Sequence, residues 1–325
     1  MRYIIYGVGA VGGTIAAALQ MAGHTVVGLA RGRMLAAIQA DGLLLRTPAG
    51  ENRVQFACHA EPAEIGFEPD DVIILCMKSQ DTAAALEKLA EAGVREQPII
   101  CGQNGVNNER LALRLFPNVY GMTVMVPADY TVPGEVNCFG APRYAMFDLG
   151  RYPVGLDETV SRVVDDFESA NMRIFPLEEV MKSKYGKLRE NLLNALEMAL
   201  GKDVDKDVRQ GFVDQIQTEG EAAFTAAGIA WTRVGFDNPR RKGVMEMTDI
   251  PGTARIGGST TQSLTRGGSL ETEYLNGEIA LLGRLHGVAT PANAALVTVA
   301  RDMVAKGAQV GDTTPDDLRA VIQKG

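Results

Sequence analysis

Cysteine, histidine and tryptophan are scarce in this chain: four, three and one among 325 residues. The cysteines, Cys58, Cys76, Cys101 and Cys138, form no C-x-x-C pair and join no histidine cluster, so no common zinc framework, and no other metal set, is expected. Cys76 and Cys101 end apolar strand-like runs, where a free thiol serves as a small core residue. Four thiols without a disulfide framework fit a reducing cytoplasm. The histidines are badly placed for chemistry: His24 ends the first helix, His59 sits in an early loop, and His286 sits in a late helix-to-loop turn. No Ser-His-Asp or Cys-His arrangement can be assembled, which removes hydrolase chemistry. No run of about 18 apolar residues exists to span a membrane. Positive charge is not in excess either. The net charge of −8 is the opposite of the basic face a nucleic-acid partner requires. With 46% apolar and 22% charged residues, the chain is an ordinary globular one, long enough for two domains with their own cores.

Glycine, by contrast, is plentiful, with 36 residues, and the first of them are organised. The β-rich run Tyr3–Tyr6 leads directly into Gly7, Val8, Gly9, Ala10, Val11 and Gly12, a G-x-G-x-x-G between a predicted strand and a predicted helix. In that context Gly7 makes the tight turn, Gly9 lets backbone approach a pyrophosphate, and Gly12 lets the helix sit close on its strand. The phosphates then face the N–H groups that open the helix. A signal peptide, with Arg2 as its basic region and Tyr3–Ala18 as its apolar core, is opposed by these glycines and by the single basic residue. The second strand, Thr25–Leu29, decides the nucleotide. No acid follows at Val27–Ala30 to hold a ribose hydroxyl, and Arg31 and Arg33 come instead. A guanidinium matches a phosphate in a bidentate fork, so NADP(H) is expected over NAD(H), with Arg31 on the 2′-phosphate. The plainer alternative is a pair of solvated loop arginines.

Further along, Asp71–Cys76 reads as a fully apolar strand of the type buried in a parallel sheet, with Lys78 just past its carboxyl end. Pro98–Cys101 is another such strand and empties into Gln103-Asn104-Gly105, again at the edge where open α/β sheets bind ligands. Residues 34–41, Thr82–Ala92 and Val160–Ser169 read as helices. Leu43–Leu45, Arg53–Cys58, Val119–Val126, Glu135–Phe139, Tyr144–Asp148 and Met172–Phe175 read as strands, the 119–148 runs extending the sheet. After Pro176 alternation gives way to helical periods over most of Glu178–Gly201, Asp207–Ala227, Leu270–His286 and Ala292–Ala305. The stretch Asn238–Gly268 is rich in Gly, Thr, Arg and Pro and is expected to hold loops. The expected fold is therefore α/β: a Rossmann-like dinucleotide-binding domain over residues 1–178, then an all-helical domain over 179–325 that binds substrate. A homodimer through the helical domain is a further expectation, without an interface motif behind it.

Reduction by a nicotinamide needs a group to supply the accompanying proton. Lys187 and Asn191, at i and i+4, project from one face of the helix that opens the second domain. A half-buried lysine in a cleft can act as a general acid. Spacing alone favours the other reading, in which Lys182, Lys184, Lys187 and Arg189 form a solvated basic face.

Taken in order, the glycine run Gly7–Gly13, Arg31 between Ala30 and Gly32, Met77-Lys78, Gln103-Asn104-Gly105, Lys187-Leu188 with Asn191, Ser259 twelve residues before Glu271, and the stretch His286–Pro291 resemble the ketopantoate reductase (2-dehydropantoate 2-reductase) family over nearly the whole chain. The resemblance implies NADPH-dependent reduction of the C2 carbonyl of a 2-keto acid, most simply 2-dehydropantoate to pantoate. It makes Lys187 the general acid and Glu271 its acidic partner in the active site. It makes Asn104, Asn191 and Ser259 the groups that hydrogen-bond substrate, and Arg31 and Lys78 contacts of the cofactor. One departure stands out. Ala195 occupies the place of a second family asparagine, and Asn194 is about 100° away around the helix. Losing such a donor costs on the order of 1–3 kcal/mol of recognition. Two alternatives therefore stand beside the first reading: a related dehydrogenase for another 2-oxo acid, and a non-catalytic NADP(H)-binding protein.

Overall fold

A computed structural model describes residues 1–235, 238–255 and 257–324. Its strands are β1 (Arg2–Tyr6), β2 (Thr25–Leu29), β3 (Leu43–Thr47), β4 (Gly50–Val54), β5 (Ala57–His59), β6 (Asp71–Leu75), β7 (Ile99–Cys101), β8 (Val119–Met125), β9 (Ala128–Asp129), β10 (Glu135–Cys138), β11 (Gly140–Pro142), β12 (Ala145–Arg151), β13 (Met172–Pro176) and β14 (Met245–Met247). Its helices are α1 (Ala10–Met21), α2 (Gly32–Asp41), α3 (Thr82–Glu91), α4 (Asn108–Leu113), α5 (Glu158–Ser169), α6 (Val180–Asn191), α7 (Leu193–Leu200), α8 (Lys206–Ala226), α9 (Ser259–Thr265), α10 (Asn276–His286), α11 (Pro291–Lys306) and α12 (Pro315–Ile322). The chain divides into two compact units: Met1–Lys184 with Phe236–Arg255, and Tyr185–Gly235 with Ile256–Gly325.

The first unit is built on an eight-stranded sheet of order β13-β12-β8-β7-β6-β1-β2-β5, parallel except for the β12–β8 pair. Period-two alternation along β1 explains why the sheet is covered on both faces. Tyr3 and Ile5 enter a core with Ile15 and Leu19 of α1 and Val163 and Phe167 of α5. Ile4 enters a second core with Leu86 and Leu89 of α3 and Phe116. The register matters more for function. Tyr6 lies beside both Leu29 and Leu75, and Leu75 beside Cys101. The segments leaving β1, β2, β6 and β7 therefore emerge together at one edge.

Two parts of the first unit differ from expectation. The run Glu135–Phe139 does not extend the main sheet. Instead β10 joins a separate four-stranded sheet of order β4-β3-β10-β9 that packs on α1. Gly13 allows this close approach, since a Cβ there would lie 2.8 Å from Val136 Cγ2. The loop-like stretch after Asn238 also returns a strand: β14 pairs antiparallel with β11. Arg240 from this stretch stacks over Phe175, 4.8 Å from the ring centroid, and donates from Nη2 to Asp148 Oδ1 at 2.6 Å. Asp148 is fully buried on β12 and also accepts from the Ser183 hydroxyl. Burial pushes its carboxyl above the ordinary value, against the pull of Ser183 and Arg240.

The second unit is helical. The helical periods expected over most of Glu178–Gly201 form two helices, α6 and α7, that meet at Leu192. There the Leu192 carbonyl accepts from Asn276 Nδ2 at 3.0 Å, and the same amide nitrogen donates to Asn293 Oδ1 at 3.0 Å. Glu219 of α8 completes the cluster by accepting from the backbone N–H groups of Ala292 and Asn293, at 2.9 and 3.0 Å. A buried carboxylate thus satisfies donors that α11 leaves open at its N-terminus.

Candidate active site

The glycine loop is a backbone device. Gly7 has φ +103°, and a Cβ there would lie 2.6 Å from Met77 N. A Cβ on Gly12 would run into the Gly7 carbonyl oxygen and stand 3.0 Å from both Cys76 Cβ and Ile5 Cγ2. These two glycines are required by packing between β1, α1 and the end of β6. Gly9 is different. A Cβ there would meet only Tyr130 Cε1, at an ordinary 3.7 Å, so the protein itself tolerates a side chain. The absence of a Cβ also leaves the backbone there open to the approach of a pyrophosphate. Gly9 is also the N-cap of α1, no side chain caps that helix, and its first turn holds no acid. The first turn thus presents N–H groups and a positive dipole end with no competing anion, which fits a dinucleotide pyrophosphate.

Around this loop the edge collects the other expected groups of the first unit. Arg31 directly follows β2 as the N-cap of α2, and Arg33 lies in the first turn of that helix. The Arg31 side chain is 80% exposed and donates to Asp81 Oδ2 at 3.1 Å. An exposed pair of this kind is worth little, so the guanidinium keeps its capacity for a phosphate. Lys78 caps the 3₁₀ turn Ser79–Asp81 that carries Asp81. Asn104 follows β7, before Gly105 with φ +81°. Its carbonyl accepts from Ser79 Oγ at 3.2 Å and Asn108 Nδ2 at 3.1 Å. Asn108 in turn accepts from Thr82 Oγ1 at 2.8 Å, and that hydroxyl accepts from Gln103 Nε2 at 2.8 Å. Ser79, Thr82 and Asn108 escape a reading of motifs because they match no pattern: Ser79 and Asn108 hold the Asn104 carbonyl, and Thr82 links Asn108 to Gln103. Their only sequence trace is polarity beside the ends of two apolar strands.

In the second unit Lys187 is half-buried on α6, and Asn191, one turn later, is buried. Neighbouring residues fix this stretch. Tyr185 meets Phe224 edge-on at 5.4 Å, and a Cβ on Gly186 would run into the Thr232 carbonyl oxygen. Glu271 does not lie within a long helix. It is half-buried at the N-cap of the 3₁₀ turn Thr272–Tyr274, just ahead of α10, whereas Glu273 is exposed and accepts from Arg301 Nε at 2.7 Å. Ser259 begins α9, and its side chain lies outside the described residues. The solvated basic face is not what forms. Lys182 is half-buried beside Glu179, and Lys184 is buried. Arg189 is held by Glu221 at 2.6 Å, with its guanidinium 5.3 Å from the Trp231 centroid. The structure thus gathers the glycine loop, Arg31, Lys78 and Asn104 on one edge, and Lys187 with Asn191 on one helix. Glu271 and Ser259 come from two further segments of the second unit.

A family model described as ketopantoate reductase PanE/ApbA matches residues 3–151, and the model of the same family's C-terminal part matches residues 179–304. The chain belongs to the ketopantoate reductase family. It is on that ground an oxidoreductase. The 2-dehydropantoate 2-reductase of Aquifex aeolicus is 26% identical over 318 residues, covering 90% of this chain and 94% of the relative. That of Pyrococcus horikoshii is 27% identical over 298 residues, with the same coverage. A crystal structure of a ketopantoate reductase from Ralstonia eutropha superposes with a TM-score of 0.78 at 26% identity, covering 94% of this chain and 99% of that one.

Within the ketopantoate reductase frame, the departure at Ala195 acquires a place. Ala195 is 1% exposed, inside the core of the helical unit. Asn194 and Glu197 point elsewhere, toward the residues just before Ser259: a Cβ on Gly258 would lie 3.4 Å from Asn194 Oδ1 and from Glu197 Oε2. Three of the thiols, Cys58, Cys101 and Cys138, are buried, and Cys76 is half-buried. Burial pushes Cys76 up to about 12, and Cys58 and Cys138 up to about 11. Among the described residues no helix is long and apolar enough to cross a membrane.

Proposed function

We propose that this ketopantoate reductase family member reduces the C2 carbonyl of a 2-keto acid with NADPH, 2-dehydropantoate to pantoate being the first candidate, in the cytoplasm. The observation that carries the reading is the joint construction of the strand edge. It combines a glycine free of any protein-imposed need at Gly9, an uncapped helix N-terminus, and the Arg31 cation directly after β2. The first unit holds the cofactor through residues 7–12, Arg31 and Lys78, and the helical part supplies Lys187, Asn191, Ser259 and Glu271. The bound dinucleotide supplies hydride to C2. Lys187 gives its proton to the carbonyl oxygen, so negative charge does not accumulate there. Glu271 holds Lys187 and substrate in place, while Asn104, Asn191 and Ser259 donate hydrogen bonds to the keto acid. A homodimer is part of the proposal, and sedimentation at assay concentration decides it.

The deciding experiment follows absorbance of the reduced nicotinamide with 2-dehydropantoate, using NADPH and then NADH. Rapid oxidation of NADPH and little of NADH supports both the reaction and the role of Arg31. One observation favours a second reading, a reductase for another 2-oxo acid: buried Ala195 offers no hydrogen bond. A panel of keto acids with no preference for dehydropantoate selects that reading. Tight NADPH binding with no keto acid reduced selects a non-catalytic binding protein.

A further inference from the structure

The first turns of α6 contain a charge that the reaction just proposed does not use. Lys184 is 3% exposed and Glu109, at the start of α4, is 0% exposed. Lys184 Nζ donates to Glu109 Oε1, to the Gln103 carbonyl at 3.1 Å and to the Cys101 carbonyl at 3.4 Å. All three donor directions of the ammonium are therefore spent, two on the strand end and loop that carry Asn104 and one on Glu109 of α4. The path to this position is built. Gly121 of β8 lies beside Cys101, and a Cβ there would stand 3.0 Å from Val180 Cγ1 and 3.5 Å from Lys184 Cδ. A glycine in the middle of a strand clears the way for the lysine stem.

Stability does not account for the pair. Two charges taken out of water regain their desolvation cost only with complete hydrogen bonding, and apolar replacements of similar volume are often neutral or better. Here Glu109 Oε2 is buried with no hydrogen-bond partner among the described residues. What the lysine does is hold the carbonyls of Cys101 and Gln103 at the β7 exit, next to the carbonyl of Asn104 that Ser79 and Asn108 hold. We propose that Lys184 is a positioning residue. Through Glu109 and the carbonyls of Cys101 and Gln103, it fixes the Asn104 loop in its substrate-receiving conformation and ties the first turns of α6 to that loop. Lys187 follows three residues later on the same helix. The proposal rests on the reading of Asn104 and Lys187 given above.

The test compares the parent chain with Lys184→Met/Glu109→Leu, which removes both charges and orphans neither, and with Glu109→Gln, which keeps an acceptor for Nζ. Hydrogen exchange over residues 101–106, melting temperature, kcat and KM for the keto acid, and NADPH affinity by fluorescence are read for each. For the double variant the expected result is exchange at least tenfold faster in 101–106 alone, kcat down at least tenfold, KM raised severalfold, and NADPH affinity within twofold. Glu109→Gln leaves the buried ammonium without its counter-charge, so it is expected to lower the melting temperature, with exchange in 101–106 rising less than in the double variant because Nζ keeps its carbonyl partners. The proposal is overturned by a double variant with unchanged loop exchange, by one whose exchange rises across the whole sheet, or by one that fails to fold. It is equally overturned if Glu109→Gln loses as much as the double variant. If the parent chain reduces no keto acid, the functional reading falls, and the exchange measurements still decide the role of Lys184.

Discussion

The strand edge of the first unit and the α6 stretch of the second are both candidate functional surfaces, built on opposite principles. The edge works by leaving side chains out: Gly7 and Gly12 let β1, α1 and the end of β6 pack closely, and Gly9 leaves backbone open where a phosphate would lie. The α6 stretch works by placing side chains, Lys187 and Asn191, at one helical spacing. A surface made by omission tolerates almost no addition, whereas one made of polar groups tolerates any change that keeps the right atom in place. Substitutions therefore separate the two, and their effects are expected to descend as follows.

The largest effect belongs to Lys187→Ala. Removing a general acid costs about 10²–10⁴ in turnover, so kcat is expected to fall about a thousandfold while NADPH affinity, read by fluorescence, stays as it was. Retained turnover would sink the role of Lys187 and with it the contrast between the surfaces. Gly12→Ala is expected to do the reverse. Its methyl group enters the space of the Gly7 carbonyl, overpacking costs about 1–3 kcal/mol, and NADPH affinity drops more than tenfold. A crystal or calorimetric titration showing normal affinity would mean the loop relaxes freely. Arg31→Ala comes next. A hydrogen bond to a charged group is worth about 1.5–3 kcal/mol, so the NADPH-to-NADH ratio of kcat/KM is expected to fall about ten- to a hundredfold. An unchanged ratio would return Arg31 to the solvent.

The smallest effect concerns thiols behind the edge. Cys138 is held at about 11 by burial, above the value of 9.0 it takes when exposed. Below about pH 9 the native and unfolded thiols are both protonated and contribute no slope. Above it the unfolded chain releases the proton that the native chain keeps, so stability falls as pH rises toward 11, by up to about 1.4 kcal/mol per pH unit. Urea unfolding between pH 8 and 10.5 is expected to show a shallower decline for Cys138→Ala than for the parent chain.

The same contrast governs what the sequence disclosed. The central strands were legible because β1 and β6 are apolar from Tyr3 and Val72 onward and sit beside a glycine pattern with one physical meaning. The role of β10 was not, because a four-residue strand carries no mark of its partner, and β3 lies some 90 residues earlier in the chain. Nor was β14, three residues long within a composition that reads as loop. Arg31, Lys78 and Asn104 were placed from their position after strands. Lys184 was missed because a lysine among lysines reads as solvated, and only Glu109, 75 residues away, makes it a core residue. Packing of Ala195, likewise, required the helices that surround it.

The return of the stretch after Asn238 to the first unit also bears on how the protein is made. Asp148 leaves the ribosome 92 residues before the arginine that pairs with it. At about 5–20 residues per second that delay is about 5–20 s. Through that interval the nascent α/β core holds a buried carboxyl without its cation, and the edge strand β11 waits without β14. Completion of that core is timed by translation of the helical half, so a truncation before residue 255 is expected to yield a chain that stays with chaperones instead of a free dinucleotide-binding module.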